Sequence, residues 1–334
     1  MPRVAVLLPA RDAEATVRAA AVSILRQSFR DLVLVAVDDG SRDGTLGVLE
    51  ALASRDRRVR PVRGSGEGIV GALERGLALC DAEVVVRMDA DDVAWPRRIE
   101  RQLAALDADP SLAAVGSRVR LFPRRRVAGG MARYAAWLNG LVTPELVARD
   151  LLVEAPLVHP ASAIRREALA QVGGWRDGDF PEDYDLWLRL AAAGRALTNV
   201  PEVLLDWRES PGRLTRTDAR YALSRHLALK AAWLAEGPLA GRREVAVWGA
   251  GETGRAFSRA LAVHGVHVAL FLEVDRRKIG RTVQGAPVVS FEEAARARGL
   301  PLLVAVGAAG ARELIRAELG RQGFEEIRDY RCVA

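Results

Sequence analysis

The chain has 334 residues, half of them apolar and 28% charged, and its formal net charge is +6. Length and composition predict a globular protein of two domains and argue against a disordered chain. No apolar run approaches the length of about 18 residues that a membrane span needs, we expect no signal peptide, and the modest basic excess gives nucleic-acid binding little support.

The first half of the sequence alternates strand-like and helix-like segments. Strands are predicted at residues 3–10, 31–41, 58–63 and 82–92, and helices at 14–29, 43–54 and 68–80. This alternation favours an α/β fold with a mostly parallel sheet, in which ligands lie beyond the carboxyl ends of the strands. Asp43 is predicted to cap the second helix, and Pro96 to occupy the first position of the helix after the fourth strand.

The second half begins with less regular segments and then returns to the same alternation. Residues 158–175 predict a strand, a short helix and a glycine stop, and residues 180–194 an acidic loop that leads into a helix. A strand–glycine–helix unit starts near residue 244 and another near residue 301. We therefore expect domains at 1–215 and 242–334, joined by a helical linker at 216–241.

Three aspartates, Asp89, Asp91 and Asp92, crowd the end of the fourth strand. Two carboxylates about 4 Å apart repel by roughly 4 kcal/mol at an effective dielectric near 20, so a cation is expected between them. Mg²⁺ and Mn²⁺ take oxygen ligands and often bind through one or two carboxylates plus substrate phosphates. The cluster predicts a divalent metal that carries a nucleotide diphosphate; an exposed turn that caps the next helix is the structural alternative.

A second acidic turn, "VDDGSRDGT", follows the second strand. Asp38 and Asp39 stand at the strand end, where a carboxylate can accept a hydrogen bond from the imide N–H of a uracil-like base. Gly40 and Gly44 permit a tight turn around them. The alternative is a plain loop between strand and helix.

Glu182 and Asp183 form a third acidic site, directly before a helix with an apolar face. Acids in this position often only interact with the helix dipole. They could instead include a general base that takes a proton from an acceptor hydroxyl. The residues alone leave both interpretations open.

Taken together, these stretches resemble glycosyltransferase family 2 proteins, which have the GT-A nucleotide-diphospho-sugar transferase fold. The resemblance covers roughly residues 3 to 215. Its motifs, in the order and approximate spacing of the family, are "VAVLLPARD", "VDDGSRDGT", "GIVGALERGLAL", "RMDADDVAWPRRIERQ", "HPASAIRREALAQVGGW" and "PEDYDLWLRLAAAGRALTNVPEVLLDWR". The ordered set is far more specific than any one motif in it.

The resemblance implies which residues contact the donor. Pro9, Asp39 and the neighbourhood of Arg11 would cradle the nucleoside. The full set expected to contact the nucleotide-sugar is Pro9, Ala10, Arg11, Asp38, Asp39, Asp89, Asp91, His159 and Arg208.

The resemblance also implies the chemistry. Asp91 and Asp92, with Asp89, would hold the metal and the ribose-phosphate. Asp183, with Glu182 beside it, would be the base of an inverting displacement at the anomeric carbon of the sugar.

Some positions depart from the family pattern or allow two interpretations. Leu73 and Glu74 stand where family members often carry an Arg-Asn or Leu-Asn pair, so phosphate binding would depend on metal and backbone, and Ala10 stands where an aromatic residue is common. His159 would contact acceptor or phosphate, or else pack as a hydrogen-bonded core residue. Arg208 would approach the diphosphate or the acceptor, or else form a surface salt bridge. Core packing is expected over sugar stacking for Trp95, Trp175, Trp187 and Trp207.

The last segment carries a glycine motif, "VWGAGETGR", between a predicted strand and a predicted helix. It resembles the Rossmann-like domains found beside sugar-modifying enzymes. NAD(P) or another nucleotide could bind at Gly249, Gly251 and Gly254, with Glu273 or Asp275 on a ribose hydroxyl. A turn that only determines the fold is the alternative.

We therefore expect a metal-dependent transferase that acts on a nucleotide-diphospho-sugar donor and a hydroxyl acceptor on a sugar, glycan or lipid-linked glycan. Cys80 and Cys332 form no paired motif, which favours a cytoplasmic location, with peripheral contact at an anionic membrane face left open. An NAD(P)-dependent sugar oxidoreductase and a non-catalytic nucleotide-sugar-binding protein are the rival hypotheses.

Overall fold

The computed structural model describes residues 2–334, which form two units. Unit 1 consists of the chain up to residue 148 together with 156–178 and 182–217. Unit 2 consists of 149–155, 179–181 and 218–334. Each unit has a sheet of its own.

Unit 1 contains eight strands, and the helices between them precede or follow strands as the alternation predicts. The strands are β1 (Val4–Ala10), β2 (Leu32–Asp38), β3 (Val59–Arg63), β4 (Val84–Arg87), β5 (Val93–Ala94), β6 (Leu112–Phe122), β7 (Ala163–Arg165) and β8 (Ala196–Arg208). The helices are α1 (Val17–Leu25), α2 (Thr45–Ala53), α3 (Gly68–Ala78), α4 (Arg98–Ala108), α5 (Gly129–Leu138), α6 (Pro144–Asp150), α7 (Arg166–Gln171), α8 (Glu182–Ala192) and α9 (Leu214–Thr217). Short 3₁₀ turns lie at Arg124–Arg126 and His159–Ala161.

The sheet of unit 1 has the strand order β3-β2-β1-β4-β7-β6-β8-β5. β3, β2, β1 and β4 pair in parallel, as do β6 and β8, whereas β7 is antiparallel to both of its neighbours. Every residue of β1 and β2 is buried, which is typical of strands covered on both faces. The predicted mostly parallel sheet is confirmed.

The strand register brings the acidic turns to one edge of this sheet. Ala10 pairs with Asp38 across β1 and β2, and Leu7 pairs with Arg87 across β1 and β4. Because these strands are parallel, the loops that follow them leave the sheet at the same edge.

Two predicted helix starts differ from the structure. α4 begins at Arg98, so the expected place of Pro96 is wrong by two residues. The N–H of Trp95 donates to the carbonyl of Leu204 at 2.9 Å, and this pairing to β8 delays the helix. The expected helix cap at Asp43 is also displaced by one residue, because Gly44 is the N-cap residue and α2 begins at Thr45. A carboxylate oxygen of Asp43 nevertheless accepts the Thr45 N–H at 3.0 Å.

Unit 2 contains a six-stranded sheet in the order β11-β12-β10-β9-β13-β14, parallel except for the β11–β12 pair. The strands are β9 (Glu244–Trp248), β10 (His267–Glu273), β11 (Thr282–Val283), β12 (Ala286–Ser290), β13 (Leu302–Val304) and β14 (Tyr330–Cys332). The helices are α10 (Leu223–Glu236), α11 (Glu252–Ala262) and α12 (Ala311–Arg321), with 3₁₀ turns at Ala219–Tyr221 and Phe291–Ala297.

Both cysteines, Cys80 and Cys332, are buried free thiols. Of the helices in residues 2–334, none combines the length and the apolar character that crossing a bilayer requires.

Candidate active site

The three aspartates after β4 lie together. One carboxylate oxygen from each of Asp89, Asp91 and Asp92 lies within 4.8 Å of the other two. Asp92 is only 1% exposed, and the other two are partly buried. β4 is buried along its whole length and ends directly before this turn, so the strand fixes where the acids start. We call residues 89–92 the aspartate turn.

Asp92 has one satisfied and one unsatisfied oxygen. Its Oδ1 accepts the backbone N–H of Arg208 at 2.7 Å, whereas the buried Oδ2 has no hydrogen-bond partner in residues 2–334. The Arg208 side chain donates to the carbonyl of Asp91 at 2.6 Å and lies over the ring of Phe122. The end of β8 thus holds the aspartate turn in place, and Arg208 is not a surface salt-bridge residue.

The aspartate turn is electrostatically unfavourable without a cation. Burial and the neighbouring charge of Asp89 raise the pKa of Asp91 to about 6. Burial, followed by the charges of Asp89 and Asp91, raises the pKa of Asp92 well above its ordinary value. Three hard oxygen donors and a buried oxygen without a partner fit Mg²⁺ or Mn²⁺.

Two buried arginines lie beside the aspartate turn. Arg87, the last residue of β4, pairs with Asp89 at 2.7 Å and is 3% exposed. Arg98 of α4 is fully buried, donates to the Arg87 carbonyl at 2.7 Å, and has a pKa that burial lowers to about 9. The sequence reasoning missed both, although a charged residue at the end of the run "VVVR" was a signal.

Asp39 is occupied by the protein's own backbone. Its two oxygens accept the N–H groups of Gly66, Glu67 and Gly68 at 3.0, 2.9 and 2.8 Å. Asp38 differs, because its buried Oδ1 has no hydrogen-bond partner in residues 2–334. Asp39 therefore orders the loop before α3, while Asp38 keeps a free acceptor.

The other residues expected at the nucleoside border this pair. Pro9 and Ala10 are buried at the end of β1, and the Ala10 carbonyl accepts the Asp39 N–H at 2.8 Å. Arg11 has a half-exposed side chain, with a guanidinium nitrogen 4.0 Å from Asp39 Oδ2. The structure brings all five residues together at the ends of β1 and β2.

His159 is enclosed by protein groups on both ring nitrogens. Its Nε2 accepts the indole N–H of Trp175 at 2.9 Å, so the neutral ring carries its proton on Nδ1. Nδ1 lies 3.8 Å from a Glu182 oxygen. Burial, and then the positive charge of Arg87, keep the pKa of His159 well below its ordinary value. The ring is thus the packed, hydrogen-bonded histidine of the second interpretation.

Glu182 and Asp183 differ in access to solvent. Glu182 is 3% exposed beside His159, whereas Asp183 is only partly buried. One Asp183 oxygen accepts the N–H of Tyr184 at 2.7 Å, in the first turn of α8. His159 neighbours Glu182, and its pKa is also lowered by the charge of Arg87, which pairs with Asp89. The two acidic sites are therefore close enough to interact electrostatically.

Glu74, which departs from the family pattern, has a structural role. Its carboxylate accepts the N–H of Trp175 at 2.8 Å. Arg189 of α8 ties the same loop by donating to Gly174 at 2.9 Å while paired with Asp185. Trp175, Trp187 and Trp207 are buried, as core packing predicts, but Trp95 is 36% exposed.

In unit 2 the glycines of the motif differ in their surroundings. A Cβ on Gly254 would overlap the carbonyl oxygen of Gly249, whereas one on Gly251 would meet open space. Glu273 accepts four hydrogen bonds, from the N–H groups of Ala250, Val274 and Asp275 and from Lys278. Asp275 pairs with Arg277 at 2.9 Å. Both acids expected on a ribose are therefore bound to the protein.

Comparisons with known proteins agree with the features of unit 1. The family model described as glycosyl transferase family 2 matches residues 5–173, half of the chain. EpsE of Bacillus subtilis, a glycosyltransferase by name, is 28% identical over 227 residues, which are 66% of this chain and 78% of EpsE. AmsE of Erwinia amylovora, named an amylovoran biosynthesis glycosyltransferase, is 28% identical over 191 residues, 56% of this chain and 68% of AmsE.

A solved structure shares the fold. The mannosyltransferase PcManGT from Pyrobaculum calidifontis, in complex with GDP-Man and Mn²⁺, matches with a TM-score of 0.53 at 20% identity. The match covers 97% of this chain and 81% of PcManGT.

Proposed function

This chain belongs to glycosyltransferase family 2, and from that premise we propose that it transfers a sugar from a nucleotide-diphospho-sugar to a hydroxyl acceptor with inversion at the anomeric carbon. Unit 1 has the GT-A fold. The observation that carries the proposal is the cluster of Asp89, Asp91 and Asp92, in which a buried Asp92 oxygen has no partner. A buried carboxylate oxygen without a donor is costly unless a cation binds it.

Asp91 and Asp92, with Asp89 beside them, would hold the metal. A bound Mg²⁺ or Mn²⁺ would offset the charge that develops on the departing diphosphate. Arg208 keeps Asp92 oriented through its backbone N–H, and Arg87 keeps Asp89 in place. These contacts position the carboxylates before any ligand binds. Donor binding therefore costs less conformational entropy.

The nucleoside would lie at the ends of β1 and β2. The free Oδ1 of Asp38 supports a role in accepting a hydrogen bond from the base. Asp39 would support the same site indirectly, because its hydrogen bonds fix the loop at residues 66–68. Arg11, with its half-exposed side chain, would close over the nucleoside.

Asp183 is the proposed general base. It would take the proton of the acceptor hydroxyl, whose oxygen then forms the new bond to the anomeric carbon while the bond to the diphosphate breaks. Its partial exposure supports this choice over Glu182, which is buried against His159. The products are the glycoside and the nucleoside diphosphate.

The acceptor is proposed to be a glycan or lipid-linked glycan in polysaccharide or glycoconjugate synthesis. The polysaccharide name of AmsE supports this class. The exposed turn Arg124–Arg126 supports peripheral contact with an anionic membrane face during transfer.

Unit 2 is proposed to be a Rossmann-like domain that follows the catalytic domain. Its parallel strands β12, β10, β9, β13 and β14 and its glycine turn before α11 support this assignment. Glu273 and Asp275 give no support to NAD(P) chemistry, since both carboxylates are already bound within the protein.

The proposal is tested by incubating the protein with a panel of nucleotide-sugars and acceptors and measuring nucleoside diphosphate release. Release should require Mn²⁺ or Mg²⁺, stop in EDTA, and fall by about 10³-fold or more in Asp92→Asn. Asp81→Asn, which changes an exposed carboxylate in the same unit, is the matched control. Release that persists in EDTA or in Asp92→Asn would refute the metal-dependent transferase, and donor binding without turnover would favour a non-catalytic nucleotide-sugar-binding protein.

A further inference from the structure

A cavity of about 360 Å³ lies in unit 2, against the first residues of β13 and β14. Its lining residues include four arginines, Arg242, Arg298, Arg328 and Arg331, and one acid, Asp329. The wall is therefore strongly cationic. None of these residues belongs to the aspartate turn or to the glycine motif.

The cationic charge of this wall is mostly unneutralised. Arg328 pairs with Glu325 at 2.7 Å and with Asp329 at 2.9 Å. Within residues 2–334, Arg242, Arg298 and Arg331 form no ion pair with a carboxylate, and the side chain of Arg298 donates to the carbonyl of Gln322. Three arginines around the cavity thus have no carboxylate of the described chain within ion-pair distance, and Asp329, which is paired with Arg328, acts on Arg298 only from farther away.

Arg331 shows this most clearly. It is half-buried in β14, and burial lowers the pKa of its guanidinium. Glu326, the acid that acts on it electrostatically, is already engaged by Arg316 at 2.8 and 2.9 Å. Because removing an unpaired charge from water is costly, an anion in the cavity would stabilise this arrangement.

The rest of the wall is apolar. Phe324 is 6% exposed and lies under the Arg298 guanidinium at 4.8 Å, and Leu234 and Ile327 add further apolar surface. A guanidinium group can donate two parallel hydrogen bonds to the oxygens of one phosphate. A wall with apolar surface and few carboxylates favours this pairing, because little else competes for the guanidinium groups. The volume is also in the range of small-molecule sites.

We propose that this cavity binds the phosphate group of a ligand with an apolar or aromatic portion, with Arg242, Arg298 and Arg331 around the phosphate. The site is independent of sugar transfer, because it involves none of the residues assigned to that reaction.

The test is isothermal titration of the full-length protein in EDTA, which suppresses metal-dependent binding at the aspartate turn. Pyrophosphate and uridine diphosphate serve as free phosphate probes. Phosphatidylglycerol vesicles, compared with phosphatidylcholine vesicles in a sedimentation assay, test a lipid phosphate. The variants are Arg331→Gln and Arg298→Gln, and Arg259→Gln on an exposed face of α11 is the matched control for the lost charge.

Saturable binding of one equivalent is expected, with Kd at least about tenfold higher in Arg331→Gln and Arg298→Gln but unchanged in Arg259→Gln. Arginine-dependent sedimentation with phosphatidylglycerol alone would identify a lipid as the source of the phosphate. Circular dichroism and Tm check the fold of Arg331→Gln, and the exposed Arg298 carries the test should that variant unfold. Absence of saturable binding with every probe, or equal binding in all variants, overturns the proposal.

Discussion

The aspartate turn of unit 1 and Glu273 of unit 2 occupy equivalent positions, yet they have opposite surroundings. Both lie at the carboxyl end of a strand whose last residues are buried, in a largely parallel sheet, at the edge where ligands commonly bind. Each Glu273 oxygen accepts two hydrogen bonds, from Ala250 and Lys278 on one side and from Val274 and Asp275 on the other. Asp92 in the aspartate turn keeps a buried oxygen with no donor.

The pKa values of Asp91 and Glu273 are shifted in opposite directions, in agreement with this difference in hydrogen bonding. The pKa of Asp91 is raised to about 6 by burial and by Asp89. Burial also acts to raise the pKa of Glu273, but the hydrogen bonds from Lys278 and the backbone outweigh it, and the net shift is downward. A strand-end acid therefore indicates a ligand site only where the protein leaves it short of donors. We expect the acids of unit 1 to act in transfer and Glu273 to act in folding.

The largest effect is expected from the proposed base of unit 1. Asp183→Asn should lower kcat by about 10²- to 10⁴-fold, the usual contribution of a general base, with little change in the KM of the donor. Steady-state kinetics with donor and acceptor measure this. Asp81→Asn is the control, and a kcat of Asp183→Asn within a few-fold of the wild type would remove Asp183 from the mechanism.

The next effect separates two glycines of unit 2. Gly254→Ala should destabilise the protein by about 3 kcal/mol, because its Cβ would overlap the Gly249 carbonyl and force the backbone apart. Gly251→Ala, where the added methyl meets open space, should cost less than about 1 kcal/mol. Chemical denaturation of the pair measures the difference. Equal stabilities of the two variants would mean that packing does not fix the glycine turn. The contrast between the aspartate turn of unit 1 and the strand end at Glu273 of unit 2 would then weaken.

The sequence predicted where these acids lie but could not predict which of them are satisfied. The run of valines before Asp89 and the alternation of elements were enough to place both strand ends at ligand edges. The donors come from elsewhere: Arg208 reaches Asp92 across 116 residues, and Ala250 reaches Glu273 across 23. Asp38 and Asp39 are adjacent in sequence, yet the loop at 66–68 satisfies only Asp39. No local pattern carries this information.

A third, smaller effect follows from the raised pKa of Asp91. A carboxyl with a folded pKa of about 6 and an ordinary value of 3.8 is charged more readily in the unfolded chain. Its contribution to stability is full below pH 4 and is lost as pH rises through 6, about 3 kcal/mol over the whole range in metal-free protein.

Urea denaturation in EDTA at pH 5 and pH 7.5 measures about half of this loss, about 1 to 2 kcal/mol, because the rest occurs between pH 4 and pH 5. Asp91→Asn should reduce this pH dependence. Adding Mn²⁺ at pH 7.5 should restore stability in the wild type and not in Asp92→Asn, because only a bound cation compensates the clustered charges. A wild-type stability that is independent of Mn²⁺ would place the aspartate turn in the same class as Glu273.

The smallest effect is expected at Glu273 itself. Glu273→Gln keeps the shape of the side chain but replaces one acceptor oxygen by an amide N–H₂ group. That group faces two of the hydrogen-bond donors that Glu273 now satisfies, and the negative charge that pairs with Lys278 is lost. Stability should fall by about 1 to 2 kcal/mol, as for a hydrogen-bonded charge with remaining partners. Glu244→Gln, at the exposed start of β9, is the control. Because Glu273 is expected to act only on folding, kcat for sugar transfer should stay at the wild-type value, and a selective loss of activity with unchanged stability would show that unit 2 takes part in the reaction.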